Sequence, residues 1–223
     1  MKNKTKKRKI RYDRIIIFLI ILIIIFSFFS YFFNLKITNI YILNNNILSD
    51  QKIIEFAELS DYPSTFQNLS FQIENRIKNN IYVKDVNVTK KWFTQVYIDI
   101  TENRPLFYYE YNKKTILSDK RETTDLHAVP TVINYITDSY YDKFIEEMNK
   151  LDESILSRIS EIKFYPNEVD DNRFLLTMSD GNYVYVNIST FNKLNKYITI
   201  LESLPKENGI LYLDYGNNFE IID

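Results

Sequence analysis

The chain has 223 residues and a formal net charge of −1, enough for one membrane segment and one or two modest domains. Residues 1–14 hold eight of the 28 Lys and Arg and one of the 29 acids, so the remainder carries 20 basic and 28 acidic residues, a net of −8. An acidic body excludes a nucleic-acid-binding main domain, and the absence of cysteine excludes disulfides, thiol chemistry and thiolate metal sites.

The basic head (Lys2, Lys4, Lys6, Lys7, Arg8, Lys9, Arg11 and Arg14) reads as a cytoplasmic tail over 1–14. Ile15 to Phe33, IIIFLIILIIIFSFFSYFF, is 19 residues without charge, Pro or Gly, the length a helix needs to cross hydrocarbon. With the cations on its N-terminal side, the positive-inside rule predicts a cytoplasmic N-terminus and an extracellular body, a single-pass type II arrangement. Its exit, FFSYFFNLK, has bulky aromatics and no small-residue cleavage site, which predicts an uncleaved signal anchor.

LKITNIYIL (35–43) predicts a strand and NNN (44–46) a turn, since Asn tolerates the left-handed region. A helix follows, with Ser49 as N-cap and Leu48 and Ile53 as a hydrophobic staple. Ile53, Phe56 and Ala57 share its face. After a loop broken by Pro63, Leu69, Ile73 and Ile77 are spaced as a second helix ending at Asn79-Asn80. In VKDVNVTKKWFTQVYIDITENRP (83–105), Val86 and Val88, then Val96, Ile98 and Ile100, alternate with polar residues. That period predicts a hairpin with one buried face and a loop at Lys90 to Thr94. The order strand, helix, helix, strand, strand makes a layered unit over 34–104.

Beyond Pro105, LFYYEYNKKTILSDK predicts a hairpin turning near Asn112-Lys113, and AVPTVI (128–133) a short extended piece. Asp138 to Ser160 reads as helix in two pieces, marked by Phe144, Met148 and Leu151, then by Ile155, Leu156 and Ile159. EIKFY, RFLLTM and YVYVNI predict three strands, the last two joined by the turn Ser179-Asp180-Gly181-Asn182. Thr190 to Leu204 predicts a helix with Phe191, Leu194, Ile198 and Leu201 inward and Pro205 as its stop. GILYLDYGNNFEIID closes the chain as a final strand of the second domain (105–216) and a short tail (217–223).

Taken in this order, ITNIYILNNNILSDQKI, NNIYVKDVNVTKKWFTQVYIDITENRP, TILSDK, AVPTV, FLLTMSDGNYVYV and ILYLDYG resemble the bacterial cell-division family FtsQ/DivIB over essentially the whole chain. The hairpin closes on Glu102 and Pro105 as the family's does. Three positions depart from the family pattern. Phe93 follows Trp92 where Pro is usual, Asn stands for Gly after the first strand, and Phe107 replaces a small residue. The resemblance implies an α+β fold: one transmembrane helix, a POTRA-like βααββ domain, and a C-terminal mixed β-rich domain with helices. It also implies a scaffold at the division septum. Its partners would be bitopic coiled-coil proteins of the FtsL and FtsB/DivIC types, and through them the septal peptidoglycan synthase complex.

No residue set is suited to catalysis, metal or cofactor binding. His127 is the only histidine, with no cysteine to join it. Ser118-Asp119, Ser154 and Ser179-Asp180 lie in no nucleophile-elbow pattern. Glu146-Glu147 and Asp170-Asp171 read as solvated faces, and the three glycines, Gly181, Gly209 and Gly216, form no phosphate loop. The partner-binding candidate, carried over by position, is the last strand, Ile210 to Tyr215, as an edge that receives a partner strand. Tyr212 and Tyr215 would be aromatic anchors, with Leu213 and Asp214 between them. Lys193, Lys196 and Tyr197 would flank them from the preceding helix. The POTRA-like unit is expected to bind extended segments along a strand edge. The rival readings are an anchored extracellular sensor or assembly module outside division, and an anchored wall hydrolase.

Overall fold

A computed structural model describes residues 12–204 and 207–222. The basic residues Lys2 to Arg11 and the predicted stop Pro205 lie outside them. The chain divides into two units, Met1–Glu102 and Asn103–Asp223.

The first unit opens with helix α1, Tyr12–Phe33, three residues earlier than the apolar run, with no buried residue along its length. At about 1.5 Å per residue its 22 residues cover about 33 Å, enough to cross hydrocarbon. Strand β1 (Asn39–Leu43), helices α2 (Asp50–Phe56) and α3 (Ser70–Lys78), and strands β2 (Val83–Lys91) and β3 (Gln95–Glu102) follow. The sheet order is β1-β3-β2, with β1 parallel and β2 antiparallel to β3. Val86, Val88, Val96, Ile98 and Ile100 are buried from the sheet, and Ile53, Ala57, Ile73 and Ile77 from the helices.

The local signals act as their chemistry requires. Asn44 takes φ 63° at the end of β1 and donates to Asp99 at 2.7 Å. Ser49 caps α2 through the Lys52 N–H, and Leu48 and Ile53 are both buried. Leu69 departs from its expected place on the buried stripe. It is the N-cap of α3, its N–H is held by Gln72 at 3.0 Å, and its side chain is exposed. The Glu102 carboxylate accepts the backbone N–H groups of Asn46, Ile47 and Leu48 at 2.7, 2.7 and 2.8 Å. That clamp ties the end of β3 to the turn before α2.

The second unit is built on a nine-stranded mixed sheet. Its strands are β4 (Pro105–Tyr109), β5 (Lys114–Leu117), β6 (Glu122–Thr123), β7 (Thr131–Val132), β8 (Ile159–Phe164), β9 (Arg173–Met178), β10 (Tyr183–Asn187), β11 (Gly209–Tyr212) and β12 (Asn218–Ile221). They lie in the order β12-β11-β10-β9-β8-β7-β4-β5-β6. Helices α4 (Asp138–Asn149) and α5 (Glu153–Leu156), a 3₁₀ segment (Phe191–Lys196) and helix α6 (Tyr197–Leu201) supply Phe144, Met148, Leu156, Phe191, Leu194 and Tyr197 to one core. Ile159, expected at the end of a helix, begins β8. Arg104 closes the C-terminal end of α4, its guanidinium donating to the Asn149 and Leu151 carbonyls at 2.8 Å each.

Two features depart from expectation. Residues 218–221, read as tail, form β12. The predicted helix from Thr190 starts as 3₁₀, with three residues per turn. Its buried positions are therefore Phe191, Leu194 and Tyr197, while Ile198 is 37% exposed.

Candidate functional site

The sheet of the second unit ends at β12, and two glycines shape that end. Gly181 has φ 89° in the turn between β9 and β10. A Cβ on Gly209 would stand 2.3 Å from the Glu220 carbonyl oxygen and 2.5 Å from the Phe219 ring, so only glycine lets β12 close onto β11. The start of β11 is positioned by buried Asn182, whose Oδ1 accepts the Gly209 N–H at 2.9 Å. Asn182 also donates to the Tyr197 hydroxyl, which donates to Asp180 at 2.9 and 3.0 Å. Burial first, and then the Asp180 bond, push the Tyr197 phenol well above its ordinary range.

Period-two alternation gives this end of the sheet two faces. Phe174, Leu176, Val184, Val186 and Leu211 point to the core. Arg173, Leu175, Tyr185 and Tyr212 occupy the other face, with Tyr185 opposite both Leu175 and Tyr212. Tyr185 and Tyr212 stack at 5.4 Å and 18°. The Arg173 guanidinium lies 3.6 Å from the Tyr185 ring centroid and pairs with the Asp214 carboxylate at 2.7 Å. The Tyr212 hydroxyl donates to Glu220 at 2.9 Å, and that bond raises the phenol's pKa. A cation, a stacked tyrosine pair and an acid thus run across β9, β10, β11 and β12.

The predicted partner-binding residues separate into three groups. Tyr215 is 55% exposed, Lys196 is exposed, and Ile210 and Tyr212 are half-buried. Lys193 donates to the Leu213 carbonyl at 3.1 Å and, with Lys196, Ile200, Gly216 and Asn217, lines a shallow cavity. Tyr197 and Leu213 are fully buried and Asp214 is 8% exposed. None of these three is an exposed anchor: the 3₁₀ segment turns Tyr197 inward, and Leu213 packs in the core. Ile210 to Tyr212 is also no edge, because β12 pairs with its outer side from Gly209–Ile221 to Tyr212–Asn218. The edge is one strand further out. Its signal was present in the sequence: Gly216-Asn217 is a turn dipeptide, and NFEI after it alternates. Arg173 and Tyr185 were also missed; the outward half of YVYVNI marked Tyr185, and nothing local marked Arg173.

The polar residues weighed for chemistry have structural partners. Asp119 pairs with Arg121, Glu147 with Lys150, Asp170 accepts from Asn187 and Asp171 from Tyr140. Ser118 donates to Asn103 at 2.6 Å. His127 lies between β6 and β7. Among the described residues no three His, Cys, Asp or Glu side chains group as metal ligands.

Comparison with known proteins adds a third line of observation. A family model described as POTRA domain, FtsQ-type, matches residues 35–103. One described as cell division protein FtsQ/DivIB, C-terminal, matches residues 112–223, about half of the chain by itself. Cell division protein DivIB of Listeria monocytogenes is 26% identical over 195 residues, 83% of this chain and 72% of that protein. DivIB of Bacillus subtilis is 27% identical over 194 residues, 83% of this chain and 74% of that protein. Among solved structures, the major extracytoplasmic domain of DivIB from Geobacillus stearothermophilus matches 47% of this chain and 95% of its own, with 21% identity and a TM-score of 0.38.

Proposed function

The chain belongs to the FtsQ/DivIB family of cell division proteins, and on that premise we propose that it is a non-enzymatic scaffold of the divisome. Its N-terminus is cytoplasmic, α1 spans the cell membrane, and the two outer domains work at the septum. There they engage bitopic division proteins of the FtsL and FtsB/DivIC types and, through them, recruit and regulate the septal peptidoglycan synthase. The observation that carries this reading is β12, which among the described residues is the edge strand of a nine-stranded sheet. An unpaired edge offers backbone donors and acceptors to an extended segment, and neighbouring side chains supply selectivity. The opposite edge, β6, has only two residues, whereas β12 has four.

Ile222 donates its N–H inward to Asn208 at 3.1 Å. By the alternation of antiparallel ladders, the N–H groups of Phe219 and Ile221 then face outward. Tyr212, stacked on Tyr185 and bonded to Glu220, and Tyr215 supply aromatic surface beside that edge. Ile221→Pro removes one outward donor from an exposed position. It is expected to abolish capture of the extracellular segment of the FtsB/DivIC-type partner while circular dichroism stays native. Undiminished capture would sink the strand-addition reading. A fluorescent fusion tests the division role separately: mid-cell bands support it, and a uniform envelope signal favours the sensor reading.

A further inference from the structure

The tip of the β2–β3 hairpin carries Trp92 and Phe93, which are 83% and 61% exposed. Both have left-handed φ, 53° and 61°. Hairpin tips with that backbone ordinarily use Asn, Asp or Gly, because a bulky side chain is strained there. Two large, mostly exposed apolar side chains therefore stand at a tip whose backbone does not favour them.

The tip is fastened beside the C-terminal end of α1. The Ser64 hydroxyl donates to the Phe33 carbonyl. Thr65 N–H donates to Leu35 at 2.9 Å, Ile37 N–H to Pro63 at 3.0 Å, and Thr38 N–H to Thr94 at 2.8 Å. The Phe32 ring, in the last turn of α1, lies edge-on to Phe66 at 5.8 Å and to Phe93 at 6.2 Å. Phe66 and Phe93 stack at 6.1 Å and 20°. The apolar surface of α1 thus continues onto Phe66 and Phe93, and on to Leu69 and Trp92, which line a shallow cavity with them. Lys90, the charged residue of that cavity, is turned inward, its ammonium donating to the Thr65 and Asn68 carbonyls.

We propose that this aromatic tip is a second membrane contact, in which Trp92, Phe93, Phe66 and Leu69 enter the interfacial layer of the bilayer that α1 crosses. Lipid is the occupant because the patch is continuous with α1, a helix with no buried residue, whose large apolar side chains are exposed apart from half-buried Phe32. Aromatic side chains, Trp above all, favour the boundary between headgroups and acyl chains. The contact fixes the orientation of the POTRA-type domain against the membrane, which a single helix and a short connector do not fix alone.

Trp92 is the sole tryptophan and reports on itself. The full chain is reconstituted into vesicles of phosphatidylcholine and phosphatidylglycerol, with either lipid brominated near the headgroup or lipid brominated near the chain end. The expected result is emission at shorter wavelength than tryptophan in water, protection from iodide, and stronger quenching by the shallow bromines. Phe93→Asp should remove more than half of that quenching while the chain still floats with the vesicles. Water-like emission open to iodide and untouched by brominated lipid would overturn the proposal. So would a short-wavelength emission without bromine quenching, which means burial against a second copy.

Discussion

Arg173 Nε stands 2.7 Å from Asp214 Oδ2, and the two side chains are 12% and 0% exposed. Removing one member of a buried pair leaves the other charge uncompensated, at a cost of about 3–5 kcal/mol. Arg173→Met should therefore destabilise the C-terminal domain by about 3 kcal/mol, read as a lower urea midpoint for the full chain in detergent. The double variant Arg173→Met, Asp214→Leu should recover part of that loss.

Glu102 holds three backbone N–H groups at the turn before α2. Glu102→Ala strips them of their acceptor and should lower the stability of the N-terminal domain by about 2 kcal/mol. Amide exchange at Ile47 and Leu48 should accelerate, while exchange in β8 to β10 stays unchanged.

Gly209→Ala places a methyl group against Glu220 and Phe219. The expected outcome is detachment of β12, seen as loss of amide protection at Asn218, Glu220 and Ile222, whose N–H groups face β11, with protection of β8 and β9 retained. If the partner docks on β12, the same variant loses partner capture.

Tyr197 and Tyr141 give the protein an alkaline limit. Burial raises both phenols in the folded state, Tyr141 to about 12. The unfolded chain ionises near pH 10, so their contribution is fully present below about pH 10 and is lost as pH rises through the folded values. Ultraviolet titration should show these two tyrosines ionising after the exposed ones, and Tyr197→Phe should flatten the fall in stability above about pH 10.

The parts of the fold with a clean period were legible in the sequence. Val86 and Val88 alternating on one side of Trp92, and Val96 to Ile100 on the other, gave β2 and β3 because one face of that sheet is buried. The apolar run gave α1 because no soluble core needs 19 such residues in succession. Tyr197 was misplaced because 3.0 and 3.6 residues per turn diverge over six residues, and nothing in FNKLNK separates them. The alternation of NFEI after Gly216-Asn217 marks β12, but four residues alone do not separate a strand from a tail, and its closure depends on Gly209, nine residues earlier than its first residue, Asn218. Arg173 and Asp214 lie 41 residues apart, so their pairing belongs to the sheet rather than to any local signal.

The central claim is that β12 receives a partner strand on its free edge. Amide hydrogen exchange of the full chain in detergent, with and without the extracellular segment of the proposed FtsB/DivIC-type partner, tests it most directly. The account predicts new protection at the outward N–H groups of Phe219 and Ile221, with little change at Asn218 and Glu220, which already face β11. Binding that leaves Phe219 and Ile221 exchanging as in the free chain would contradict it.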